Sequence, residues 1–118
     1  MTGDEKLSVR TQVLLWTAQR VSAVVLAVCV VVHLVTIIYA VRSGLTAAEI
    51  LGRTRGSLAW AGFYSLFVAA VAVHAPIGLR NILAETLAWR GHGLDVAMIV
   101  VAMTLVMWGG RAVIAVFL

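Results

Sequence analysis

Three long apolar runs, separated by short polar segments, dominate this chain. They cover about 13–41, 57–80 and 95–118, and each reaches the roughly 20 mostly apolar residues that a helix needs to cross a bilayer. The runs are longer than barrel strands and lack the alternation of polar and apolar positions that such strands show. The pattern therefore predicts an all-α integral membrane protein, with one domain over 1–118 that forms a bundle of three transmembrane helices.

The segments between the runs are predicted to be loops. Residues 42–57 carry Gly, Ser and Thr, and we expect a loop there that includes a short surface turn of helix. Residues 80–95 are amphipathic and end near a Gly-His-Gly breaker, which predicts a second loop. The first run follows a short polar lead over 1–10, but it is too long for a signal peptide and no small-residue cleavage site follows it.

Composition narrows the class of protein further. The 118 residues are 63% hydrophobic and only 12% charged, which excludes an ordinary soluble domain and a disordered chain. The net charge is +4, but there are too few charges to form a basic face for nucleic acid. Instead, the basic residues indicate how the spans are oriented in the membrane, because the cytoplasmic flanks of spans are enriched in Lys and Arg. An N-terminus in the cytoplasm is favoured by the flanking residues on that side: Lys6, Arg10, Arg20, Arg80 and Arg90.

Two histidines, His33 and His74, lie inside the predicted spans. Ionisable side chains in a span are costly and are therefore functional candidates by default. If Arg20 and Arg80 mark the inner edges of their spans, His33 lies roughly 20 Å and His74 roughly 9 Å beyond them, at about 1.5 Å per residue. The two imidazoles thus differ in depth by about 10 Å and suit two separate sites rather than one shared iron. The third histidine, His92, is expected in a solvated loop.

A neutral imidazole in an apolar span can serve as an axial ligand of haem iron. The alternative is a histidine that is hydrogen-bonded to another helix. A proton relay would normally add Asp or Glu to the interior of a span, whereas the acidic residues nearest the runs, Glu85 and Asp95, are assigned to the predicted loop over 80–95. Arg20 and Arg80 are either span anchors or partners of haem propionates, and Arg20 with Ser22 could instead bind a quinone carbonyl.

Two short patterns resemble the membrane-anchor subunits of succinate dehydrogenase and fumarate reductase. His74 is followed by Gly78 after four positions, by Arg80 after two more, and by Glu85 eleven positions after the histidine. In that family the corresponding histidine binds haem. The segment 19–23, Gln-Arg-Val-Ser-Ala, is similar to the His-Arg-x-Ser/Thr-Gly signature of the first helix of the cytochrome b subunit.

The chain departs from the family pattern at four positions near these motifs, one of which is Thr86, where the other anchor subunit has a tyrosine after the acidic residue. Gln19 stands where the signature has His, and Ala23 where it has Gly. Trp16 occupies the position of a serine that contacts quinone in the family. Since His33 has no place in the single-haem pattern, it is similar instead to the extra first-helix histidine of anchors that carry two haems.

The resemblance implies a haem b cytochrome subunit of a succinate:quinone oxidoreductase in the inner membrane of a bacterium or archaeon. His74 would bind one haem and His33 a second, while Arg20, Arg80 and Ser22 would contact haem propionates or quinone. The chain would not oxidise succinate itself. Electrons would reach quinone from flavoprotein and iron–sulfur subunits docked on the cytoplasmic face.

A bundle of three helices offers only one histidine at each depth. A haem with two axial histidines would therefore need a sister anchor subunit or a second copy of this chain. Two other functions stay open from the residues alone. One is a small membrane transporter or channel subunit, and the other is a haem-free structural anchor whose histidines form interhelical hydrogen bonds.

Overall fold

The computed structural model describes residues 8–118, so Lys6 and most of the polar lead lie outside the described residues. The described chain contains four helices and no strand: α1 (Val9–Arg42), α2 (Ala47–Thr54), α3 (Leu58–Thr86) and α4 (His92–Phe117). Three of them, α1, α3 and α4, are long and apolar enough to cross a membrane. The predicted all-α fold with three spans is thereby confirmed, and α2 is the short helix expected within 42–57.

The three long helices are antiparallel along the chain, and α3 packs against both α1 and α4. We call the end where α1 begins, α3 ends and α4 begins the proximal end, and the opposite end, which carries α2, the distal end. Few side chains are buried between the long helices: Ser22 and Cys29 of α1, Ala70 and Pro76 of α3, and Leu94 and Met98 of α4. Most large apolar side chains face outward, as expected where lipid or partner subunits replace water.

The proximal connection is much shorter than the loop predicted over 80–95. Helix α3 continues through Pro76 to Thr86, and α4 already begins at His92. The amphipathic pattern after Arg80 is compatible with helix, so α3 ends only where the backbone turns left-handed, at Ala88 (φ 52°) and Gly91 (φ 96°). His92 is therefore the first residue of α4 rather than a loop residue, and it is exposed.

At the distal end, α2 and the residues that follow it donate hydrogen bonds to the last carbonyls of α4. The hydroxyl of Thr54 donates a hydrogen bond to the carbonyl of Val116 at 2.8 Å, and the backbone N–H of Gly56 donates to the carbonyl of Phe117 at 2.9 Å. The last carbonyls of a helix lack partners within it. The buried Thr54 thus satisfies the end of α4 from a neighbouring element.

Helices α3 and α4 approach each other closely at Gly109. A Cβ atom built there would lie 2.6 Å from Cγ1 and 2.8 Å from Cγ2 of Val68. Valine is branched at Cβ and has little rotamer freedom in a helix. The contact therefore requires glycine at position 109, whereas a Cβ at the adjacent Gly110 would meet nothing within 4 Å.

This difference gives a matched test of the α3–α4 contact. We expect Gly109→Ala to lower the thermal midpoint of the detergent-purified chain, with a cost of about 1–3 kcal/mol from overpacking. Gly110→Ala should be neutral or stabilising, because alanine has the higher helix propensity. Equal midpoints for the two variants would contradict the packing described here.

Candidate functional site

An open groove of about 510 Å³ lies between α1 and α3 near the proximal end. We call it the proximal groove. His74, Arg20 and Arg80 all line it, together with the polar side chains of Gln12, Gln19 and Asn81. Helix α1 supplies Arg20, and α3 supplies His74 and Arg80, which are about 1.7 turns apart. Three of the five predicted site residues are thus brought to one groove.

Ser22, the fourth predicted site residue, contacts His74. Its Oγ is 3.3 Å from Nδ1 of His74, and its hydroxyl also donates to the carbonyl of Gln19 in its own helix at 3.1 Å. The serine is only 6% exposed, while His74 is partly exposed toward the groove. This contact joins α1 to α3, and a partner of this kind is needed to orient an imidazole that binds metal.

Arg80 has a partner that the sequence analysis did not anticipate. Its Nε donates to Oδ1 of Asp95 at 3.1 Å, with side chains 26% and 50% exposed. Asp95, expected in a loop, lies in the first turn of α4, where a carboxylate is favoured by the helix dipole. The sequence feature that could have indicated this ion pair is the acidic residue just after the Gly-His-Gly breaker. The ion pair ties α3 to α4, and Arg80 still borders the groove.

Arg20 is exposed and its guanidinium lies over the ring of Trp16, 5.4 Å from the centroid. Both side chains line the proximal groove. A cation–π contact at an exposed position contributes about 0.5–1 kcal/mol. The tryptophan, which stands where the family has a serine, therefore holds the guanidinium at the mouth of the groove.

Gln19 and Gly78 meet where α1 and α3 approach each other. A Cβ atom at position 78 would lie 3.1 Å from Nε2 of Gln19. The glycine four residues after His74 thus makes room for the side chain that replaces the signature histidine. Among the described residues, Oε1 of Gln19 is a buried oxygen with no hydrogen-bond partner. An amide oxygen in this state can accept a hydrogen bond from a ligand in the groove.

His33 lies apart from this group. It borders a separate cavity of about 220 Å³ toward the distal end, which α3 and α4 also line. Its Nδ1 is 3.5 Å from the hydroxyl of Tyr64, and its ring meets the edges of Tyr64 and Phe67 at 5.7 Å. No charged side chain is among the described residues that line this cavity. The sequence feature that could have indicated the contact of His33 with Tyr64 and Phe67 is the series of aromatic residues in the first half of α3.

Within residues 8–118, no three His, Cys, Asp or Glu side chains are grouped so that they could hold a bare metal ion. A metal that is already bound by four ring nitrogens of a porphyrin needs only axial ligands from the protein. One imidazole at a groove satisfies that requirement, whereas it would be insufficient for an isolated ion.

Residues 5–117 match the family model of the succinate dehydrogenase/fumarate reductase transmembrane subunit. Comparisons with curated proteins and with solved structures give no match. The family match spans all four helices of the described chain.

The ion pair between Arg80 and Asp95 can be measured with a double-mutant cycle. Arg80→Gln, Asp95→Asn and the double variant should give a coupling energy of about 0.2–1 kcal/mol in the unfolding of the detergent-purified chain, because both side chains are partly exposed. The coupling should weaken at high salt. A coupling energy indistinguishable from zero at low salt would mean that the pair does not join α3 to α4.

Proposed function

This chain belongs to the succinate dehydrogenase/fumarate reductase transmembrane subunit family, and from that premise we propose that it is the cytochrome b anchor of such a complex. It is a multi-pass membrane subunit. In the proposed complex, flavoprotein and iron–sulfur subunits dock at the proximal end, and electrons pass from the iron–sulfur subunit to quinone. With the N-terminus in the cytoplasm of a bacterium or archaeon, the proximal groove opens near the cytoplasmic surface of the inner membrane.

The observation that carries the proposal is the position of His74 in the proximal groove. Its imidazole borders the groove and contacts Ser22, and Arg20 and Arg80 border the same groove. Haem b carries two propionate carboxylates, and guanidinium groups are the preferred partners of carboxylates. Arg80 uses only its Nε toward Asp95, so its other N–H groups are available for a propionate.

The size and donor set of the groove fit this cofactor. Its volume of about 510 Å³ falls within the range of roughly 300–1,000 Å³ that is typical of small-molecule and cofactor sites. When bound, haem supplies one-electron redox chemistry, which the protein tunes through the axial ligand and its hydrogen bonds. The protein's part is to hold the imidazole, neutralise the carboxylates and exclude water.

In this proposal, a second ligand for the haem iron would come from outside this chain. Among the described residues that line the proximal groove, His74 supplies the only imidazole. The groove is open on one side, which leaves room for a helix of a sister anchor subunit or of a second copy. We propose that this partner completes the haem site.

We place the quinone head group at the mouth of the groove, next to Arg20. The guanidinium is exposed there and can donate to a quinone carbonyl, while Trp16 holds it in place. Ser22 suits this role less well than the sequence suggested, because it is buried and already contacts Gln19 and His74.

For His33, the contacts favour an interhelical hydrogen bond over a haem ligand. Tyr64 lies within reach of its Nδ1, and the adjoining cavity is small and lacks a cation for a propionate. The second haem therefore stays a prediction that the spectra of His33 variants test. Under the proposal, one haem per pair of anchor chains is sufficient for electron transfer.

The first test of the proposal is the spectrum of the purified complex. The reduced-minus-oxidised spectrum should show a b-type haem, and His74→Ala should abolish the signal of the haem in the proximal groove. His92→Ala is the matched control, because His92 is exposed at the start of α4, and it should leave the spectrum unchanged.

His33→Ala tests the second haem in the same preparation. An unchanged haem content would assign His33 to the contact with Tyr64, and a loss of half the haem would assign it as a ligand. A complex without haem, or one whose spectrum survives His74→Ala, would contradict the proposed haem site.

The quinone position is tested separately with Arg20→Gln. Loss of a hydrogen bond from a charged donor costs about 1.5–3 kcal/mol, so kcat/KM for quinone reduction should fall about 10- to 100-fold. Succinate oxidation with a soluble artificial acceptor should be unchanged, since it needs only the partner subunits. Arg111→Gln is the control, because Arg111 makes a similar contact with Trp108 elsewhere in the bundle. Equal effects of both variants would place quinone away from Arg20.

A further inference from the structure

We infer that Ser22 is a positioning residue for His74, which it fixes in the tautomer with the proton on Nδ1. The inference rests on the proposed haem site, and it concerns how strongly Nε2 of His74 binds iron. It gives Ser22 a role other than contact with a propionate or a quinone.

The tautomer follows from counting hydrogens at Ser22. A serine hydroxyl has one hydrogen and two acceptor lone pairs. Its Oγ lies 3.1 Å from the carbonyl oxygen of Gln19, which can only accept, and 3.3 Å from Nδ1 of His74. The hydrogen that points to the shorter contact leaves a lone pair facing Nδ1. The imidazole then donates from Nδ1 to Ser22.

The opposite tautomer fits the two contacts of Ser22 less well, because it reverses the shorter one. If the proton were on Nε2, Ser22 would have to turn its hydrogen away from Gln19 and toward Nδ1. A proton on Nε2 would also occupy the lone pair through which an imidazole binds iron. The observed contacts therefore favour a free lone pair on Nε2, which is the atom available to an axial position.

The position of Ser22 makes this contact hard to replace. Ser22 is only 6% exposed, so water has little access to substitute for its oxygen. Hydrogen bonds to the second nitrogen of a ligating imidazole raise its basicity, and their loss typically weakens metal binding about 10- to 100-fold. A more basic imidazole stabilises ferric over ferrous iron, so this serine should lower the reduction potential of the haem.

The test uses the intact complex with Ser22→Ala and Ser22→Cys. We expect the haem midpoint potential to rise, more for alanine than for cysteine, since a thiol is a weak acceptor of nearly the same size. The g-values of the oxidised low-spin haem should shift in the same order. The affinity for haem should fall by about 10- to 100-fold for Ser22→Ala. Ser22→Cys, which nearly preserves packing, reports on the bond if Ser22→Ala assembles poorly.

Thr104→Val is the matched control. Thr104 also donates from its hydroxyl to a carbonyl of its own spanning helix, at 2.8 Å to Val100, but it lines neither the proximal groove nor the cavity at His33. Wild-type potential and g-values in both Ser22 variants would overturn the inference, as would an equal shift in Thr104→Val.

The outcome separates this inference from the proposed function. If His74→Ala removes the haem while the Ser22 variants keep the wild-type potential, only the role of Ser22 is wrong. If the haem survives His74→Ala, or if the wild-type complex contains none, the haem site itself is wrong.

Discussion

A polar side chain that lies in hydrocarbon must find its partner inside the protein, because no water is available there. For the two histidines of the spans, the partners are found in two contacts between α1 and α3: Ser22 with His74, and Tyr64 with His33. Each histidine comes from a different helix, and each partner comes from the opposite one. These contacts fix the rotation of α1 relative to α3 and the position of one helix along the other. The proximal groove lies between the same two helices.

The central position of α3 follows from where small residues allow close approach. Gly78 admits the side chain of Gln19 from α1, and Gly109 of α4 admits Val68 of α3. Polar contacts secure the ends of the bundle, with Arg80 and Asp95 at the proximal end and Thr54 and Val116 at the distal end. Apolar burial between the helices is sparse by comparison, which suits a subunit whose outer surface meets lipid and partner chains.

Hydropathy and length sufficed to predict the three spans. The short helix α2 begins at a capping box formed by Thr46 and Glu49. The end of α3 could not be predicted in this way, because α3 continues past the apolar run and its amphipathic last turns stay helical until the backbone turns left-handed at Ala88. Contacts between the spans were also beyond reach. A helix that is apolar on all sides has no pattern that tells which face meets its neighbour, so the partners Ser22–His74 and Arg80–Asp95 emerged only from the structure. The residue types of the site were nevertheless predictable, since ionisable groups are rare in spans.

Under the proposed function, the groove between α1 and α3 holds haem, with His74 as a ligand of its iron. An experimental density map of the assembled complex tests it most directly. We expect density for haem in the proximal groove, with its iron at Nε2 of His74 and its propionates near Arg20 and Arg80. A groove filled instead by lipid or by a side chain of a partner subunit, with His74 bound to no iron, would contradict it.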